Sequence, residues 1–282
     1  MKLLKNTSKL ISLFLLLLLS FIYTDKVFSE ARNKDPIMQE VISYKNKNDI
    51  LPIEPTVNDN EIIIGVSGMV VNEKESYKNM KDDDSFDKNK IVYDKKTPKT
   101  SILNNYDYYI KKGNDKNNVA SIIFKVTSDD NIDEILSLVA KTGVKVNFFI
   151  DGAYLEKNVE TAFSMVNLNC EIYNLGYDGK YSKSMIGVTN NLIESITLKD
   201  SKYCLNEEKI DDYKKLCKSK KMYSILPTLI DPTILDLKEN LEKGIIISYD
   251  LSNYNYNEFK LMINTITSRG YKIETLSKML TE

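Results

Sequence analysis

The sequence predicts an α/β domain with a largely parallel sheet across residues 118–282. Short, nearly continuous apolar runs occur at ASIIFKV (Ala120 to Val126), VKVNFFI and KGIIISYDL, the texture of strands covered on both faces. Between them lie stretches with helical spacing, with Ile132, Ile135, Leu136 and Val139 on one face and Phe259, Met262, Ile263 and Ile266 on another. The two types alternate, which is the pattern of βα units.

In chain order, MKLLKNTSKL followed by ISLFLLLLLSFIY is a basic n-region and an apolar run from Leu10 to Tyr23. The run is shorter than the roughly 20 residues that cross a bilayer, so residues 1–29 predict a signal peptide, with Val27 and Ser29 as small residues before a cleavage point. An uncleaved N-terminal anchor is the alternative. Residues 30–60 are polar, carry Pro36, Pro52 and Pro55, and predict a linker. Residues 61–117 predict a small module or an extension bracing the main domain. Within it, Ile62 to Ile64 and GVSGMVV read as a bulged strand or hairpin, NEKESYKNMKDDD as a surface helix, IVYDKK as a strand, and Ile102, Tyr106, Tyr109 and Ile110 stand at helical spacing. The Asp82, Asp83 and Asp84 run lacks the glycine and closing glutamate of a calcium loop and reads as a solvated turn.

From Asn118 onward, strand Ala120 to Val126 leads to helix NIDEILSLVAKTG, stopped by Gly143 as C-cap. Strand VKVNFFI, helix GAYLEKNVETAFSMVNLN and strand CEIYNLGY come next. KGIIISYDL, helix YNEFKLMINTITSRG, strand YKIETL and a short terminal helix close the chain.

Composition excludes several functions. The 39 lysines and arginines nearly cancel 40 aspartates and glutamates, which argues against nucleic acid as a partner. Histidine is absent, so neither imidazole acid–base chemistry nor imidazole metal ligation is available. Cys170, Cys204 and Cys217 form no CxxC pair; Cys204 and Cys217 can close a loop in an oxidising compartment, leaving Cys170 free, or all three are small core residues.

The segments TGVKVNFFIDGAYLEKNVETAFSMV, KGIIISYDL and RGYKIETLSKML resemble the polysaccharide deacetylase family, also called the NodB homology domain. The resemblance covers Asn118 to Glu282 and implies an irregular (β/α) barrel with a small N-terminal extension. It also implies an enzyme that deacetylates wall or chitin-like glycan, using a divalent metal, usually zinc, on one Asp and two His. The paired aspartates of that family fall at Thr127 and Ser128, with Asp129 and Asp130 two positions late. Its histidines fall near Leu175 and Gly179, its arginine at Leu226, and its late histidine at Tyr249 or Asp250.

The chain is therefore expected to be a degenerate member with no bound cofactor. Asp129 and Asp130 are the weak catalytic candidates, with capping of the helix that starts at Asn131 or Ile132 as the plainer role of Asp130. Tyr173, Tyr177, Asp178, Tyr181, Tyr249 and Asp250 are expected at the barrel mouth, where aromatic faces and carboxylates hold sugar rings or equally plug a former active site. The expected setting is extracytoplasmic, secreted or membrane-anchored at the cell envelope. The expected partner is cell-wall glycan or an envelope protein, with membrane contact only through the N-terminal segment. The competing expectation is an active carbohydrate N-deacetylase working through an unorthodox carboxylate site.

Overall fold

The computed structural model describes residues 2–282 apart from Asn104, Asp129, Asp130 and Asn255. The chain forms two compact units, Met1–Pro52 with Gly68–Lys96, and Ile53–Ser67 with Thr97–Glu282.

In the first unit, Lys2–Asn33 is one helix, and Pro36–Asn48 a second. Asp35 caps the second helix by accepting the Ile37 N–H at 2.9 Å, and Pro36 occupies the first turn, where its missing N–H costs nothing. The segment expected as a linker thus contains an ordered helix. Its Ile37, Met38 and Val41 pack with Val71, Tyr77 and Met80, so a proline with the look of a breaker only starts a helix. The helix Glu73–Met80 and an antiparallel pair, Gly68–Val71 with Tyr93–Lys96, complete the unit.

The second unit is built on six parallel strands: β1 (Val119–Val126), β2 (Asn147–Ile150), β3 (Glu171–Asn174), β4 (Tyr203–Leu205), β5 (Tyr223–Ile225) and β6 (Ile245–Asp250). They lie in the order β5, β4, β3, β2, β1, β6. Tyr109–Lys112 runs parallel beside β5, and its Lys112 meets Ile245 of β6 antiparallel, so the sheet curls round upon itself. This is the α/β architecture expected of residues 118–282, with 53–67 and 97–117 belonging to the same unit. Tyr109–Lys112 corrects the helical reading of Ile102 to Ile110. The spacing of those residues fits a helix, but pairing with β5 on one side and with Glu61–Ile63, joined at Lys112 by β6, on the other outweighs local propensity. The helix expected over 152–169 is broken into Gly152–Lys157 and Val159–Asn167 at Asn158, whose backbone leaves the helical region.

Successive side chains of each strand enter different environments. Ile122, Phe124, Phe148, Ile172, Ile247 and Tyr249 face outward onto Ile135, Val139, Leu155, Met165 and Phe259 of the helices. Ile123, Phe149, Tyr173, Tyr203, Ile225 and Ile246 face inward. The inner rings interlock, with Phe149 5.3 Å from Tyr173 and Tyr173 4.9 Å edge-on to Tyr203, so the interior is packed rather than open. Buried Asn147 ties three elements together. Its Nδ2 donates to Ser121 Oγ at 2.9 Å and to the Ile122 carbonyl at 2.8 Å, and its Oδ1 accepts the Leu276 N–H at 2.8 Å. Gly143 ends the helix Ile132–Thr142 with φ +69° and donates to the Val139 carbonyl, as its position in the sequence predicts.

Cys204 of β4 and Cys217 of the helix Asp211–Ser219 are joined in a disulfide with Cα atoms 6.2 Å apart, and Cys170 is a buried free thiol. The bridge closes a loop of 13 residues, worth about 3 kcal/mol by restriction of the unfolded chain. A Cys204→Ala, Cys217→Ala variant is expected to lose about 2–3 kcal/mol in urea denaturation, and reducing agent is expected to destabilise only the parent protein.

Glu61 accepts from Lys209 Nζ at 2.7 Å and from Lys111 Nζ at 2.9 Å, and these two ammoniums hold its pKa below the ordinary 4.5. A depressed carboxyl pKa contributes stability above the unfolded value and loses it as the pH falls through the folded one. Glu61→Gln should therefore lower the melting temperature at pH 7 and flatten its decline below pH 4.5.

Candidate functional site

In β/α barrels the C-terminal ends of the strands carry the loops that hold functional groups. Here these ends present Lys125 from β1, Asp151 after β2, the segment 175–181 after β3, Glu207 after β4, and Ser248 and Asp250 from β6.

Lys125 occupies an inward position near the end of β1, in step with Ile123, and its side chain is only 17% exposed. Its Nζ lies 2.9 Å from Glu207 Oε2 and 4.0 Å from Asp231 Oδ2. The other Glu207 oxygen accepts Ser248 Oγ at 2.6 Å, and Asp231 Oδ1 accepts the Asp250 N–H at 2.8 Å. One ammonium thus joins β1, β6 and the loops after β4 and after the strand Leu229–Ile230.

Asp151, 5% exposed, serves the backbone. Its Oδ1 accepts the N–H groups of Ala153 at 2.8 Å and Asp178 at 3.1 Å, and its Oδ2 accepts Gly179 N–H at 2.9 Å. The same carboxylate caps the helix Gly152–Lys157 and pins the turn opposite.

That turn is Tyr177–Lys180, closed by paired backbone hydrogen bonds of 3.1 and 3.0 Å between its two ends. Asp178 and Gly179 have φ of +52° and +67°, the double left-handed geometry of a type I′ turn, for which Asp-Gly is a preferred pair. Asp178 is exposed, ion-paired to Lys180 at 3.2 Å, so its place is set by turn geometry. Tyr177 is half-buried and donates its hydroxyl to Glu156 at 2.7 Å; that carboxylate raises its pKa.

The remaining expected residues divide between mouth and core. Tyr181 stacks on Tyr213 with centroids 4.9 Å apart, and burial pushes its hydroxyl pKa far up. Asp250 ends β6 and accepts the Ser252 N–H at 3.1 Å. Tyr173 is displaced from the mouth. Its hydroxyl reaches back to Glu171 at 2.6 Å, at the start of the same strand, and burial raises its pKa. Tyr249 leaves the site altogether. It is fully buried on the outer face against Phe124 and Tyr254, because it alternates with Ser248, which takes the inward position. Asp129 and Asp130 lie outside the described residues. Asn131, φ +60°, starts the helix Ile132–Thr142 with no side-chain cap bond. Lys125 is not among the residues expected from sequence, where its only signal is a lone charge inside the apolar run ASIIFKV.

The metal implied by the family resemblance does not fit these residues. Where its histidines would fall, Leu175 packs against the interior cluster and Gly179 contributes only a backbone N–H. Asp151 and Glu207 already accept from N–H, hydroxyl and ammonium donors, and a cation is covalently built into the site as Lys125. Among the described residues no group of three or more histidine, cysteine, aspartate or glutamate side chains is disposed to hold a metal ion.

Loss of Asp151 would orphan three N–H groups at once. Asp151→Ala is expected to cost about 2–3 kcal/mol and to accelerate hydrogen exchange at Asp178 and Gly179, whereas Asp178→Asn, tolerated in the same turn, should change stability by less than about 0.5 kcal/mol.

No family model matches the chain. It is similar to the uncharacterized protein YlxY of Bacillus subtilis (strain 168), 23% identical over 275 residues that cover 89% of this chain and 85% of that protein. Among solved structures, it aligns with a CE4 family pseudoenzyme from Bacillus anthracis at a TM-score of 0.66 and 20% identity, covering 88% of this chain and 96% of that one. A mutant of that pseudoenzyme with restored enzymatic activity aligns at a TM-score of 0.66 and 19% identity, covering 87% and 98%. The Bc1960 peptidoglycan N-acetylglucosamine deacetylase aligns at 0.55 and 16%, over 62% of this chain and 94% of that one. The fold of the second unit is accordingly that of the CE4 polysaccharide deacetylases.

Proposed function

We propose that this chain is an exported, catalytically silent protein of deacetylase fold that acts at the cell envelope by binding a wall glycan or an envelope protein. The observation that carries this reading is the barrel mouth. A chain without histidine gathers, at the C-terminal ends of its strands where β/α barrels carry their functional groups, a Lys125–Glu207–Asp231 network instead of imidazoles. The similarity to a CE4 pseudoenzyme supports the same reading.

Export is supported by two features. The N-terminal helix exposes Phe14 and Leu15 to Leu19 behind a lysine-bearing start, although among the described residues no helix is long and apolar enough to cross a membrane. The Cys204–Cys217 disulfide suits an oxidising compartment. For binding, the turn Tyr177–Lys180 offers a half-buried aromatic ring beside an exposed carboxylate and ammonium, a combination that stacks on a sugar ring and hydrogen-bonds its hydroxyls.

Two measurements test this. Purified protein supplied with zinc or cobalt should release no acetate from chitin oligomers or peptidoglycan. Sustained release, abolished by an Asp129→Asn, Asp130→Asn double substitution, would instead establish a carboxylate-based deacetylase. In retention on purified cell wall, Tyr177→Ala and Asp178→Ala should each weaken binding roughly tenfold, equivalent to about 1.4 kcal/mol. Unchanged retention in both variants would remove this face from the reading.

A further inference from the structure

We propose that Lys125 is the resident counter-ion of the barrel mouth: its ammonium takes the electrostatic place of a divalent cation and so keeps metal out. The inference rests on the charges of the mouth and holds whether or not the neighbouring turn binds glycan.

The placement of Lys125 is unusual for its residue type. A lysine at an inward position of a central barrel strand gives up hydration, and its side chain is 17% exposed. Surface position does not explain it, because every other residue of β1 from Ala120 to Val126 is buried. What compensates the ammonium is a pair of carboxylates arriving from two separate loops, Glu207 at 2.9 Å and Asp231 at 4.0 Å. Both are themselves oriented, Glu207 by Ser248 and Asp231 by the Asp250 N–H. Two negative groups held in fixed directions around one positive group is the arrangement a bound cation would impose, here made by the chain itself.

The consequence is exclusion. A divalent ion entering beside Glu207 and Asp231 would lie within a few ångströms of an ammonium, and like charges at about 4 Å repel strongly wherever water is displaced. Removal of the ammonium leaves Glu207 and Asp231 facing each other uncompensated, a demand that oxygen-seeking cations such as Ca²⁺ or Mn²⁺ meet.

Thermal unfolding and calorimetric titration of the full chain test this, using Lys125→Met, Lys125→Arg and Lys125→Met, Glu207→Gln variants with and without millimolar CaCl₂ or MnCl₂. The parent protein and Lys125→Arg are expected to show no cation-dependent shift. Lys125→Met should melt roughly 5–10 °C lower, regain at least half of that with either cation, and show saturable binding. The double variant should recover stability without cation and lose the cation response. If Lys125→Met fails to fold while the double variant folds, the counter-ion role is supported by that rescue. Saturable cation binding by the parent protein, a Lys125→Met variant as stable as the parent and indifferent to cations, or a double variant no better than the single one would each overturn the proposal.

Discussion

Everything in the second unit depends on one constraint: each residue of a parallel strand in a closed-up sheet must serve either the inner or the outer side, with nothing between. The pairing of Lys112 with Ile245 brings the two margins of the sheet together, and from then on the interior is a limited volume. Phe149, Tyr173 and Tyr203 fill its middle, which forces the remaining inward positions at the strand ends to be the polar ones, Lys125 and Ser248. A one-residue slip anywhere would exchange these sets, placing lysine against the helices and phenylalanine in the mouth. The site is thus a product of register before it is a product of residue type.

The same alternation explains which parts of the fold are legible in the sequence. The long apolar runs of β1 and β6 and the helix faces over 132–139 and 259–266 are strong signals, because both faces of those strands and one stripe of those helices are buried. The three-residue strands β4 and β5 leave no comparable trace, although they are needed to complete the curl. Tyr109–Lys112 reads as helix from spacing alone, since so short a segment offers too little pattern to reveal a strand whose partners, Glu61–Ile63, β5 and β6, all lie far from it along the chain. Pro36 misleads for a related reason. A proline signals a break only when the residues after it lack an apolar face, and Ile37, Met38 and Val41 supply one.

For the site, the sequence discloses absences more clearly than replacements. The lack of histidine is visible at once, and the structure fills the positions at Leu175 and Gly179 with core packing and backbone donation. The replacements are hidden because they come from distant segments. Glu207 and Asp231 stand 82 residues and more beyond Lys125 and carry no local motif. Tyr249 points to the mouth by its place at the end of an apolar strand, but parity with Ser248 decides against it. Asp178 and Gly179, by contrast, are readable as an Asp-Gly turn whose φ values need no ligand to explain them.

The order of the barrel mouth rests on its capping acids. Strand ends and helix starts concentrate carboxylates that accept from backbone N–H groups, and Asp151 shows why such a group is retained: it holds three N–H donors that no neutral aliphatic side chain can satisfy. Carboxylates gathered there also call for a compensating positive charge. Lys125 supplies one for Glu207 and Asp231 with a single side chain. At the rim, Tyr177, Asp178 and Lys180 stand on a turn whose conformation is fixed from beneath by Asp151. A turn held in this way is already ordered, so a partner that met it would not bear the cost of ordering it.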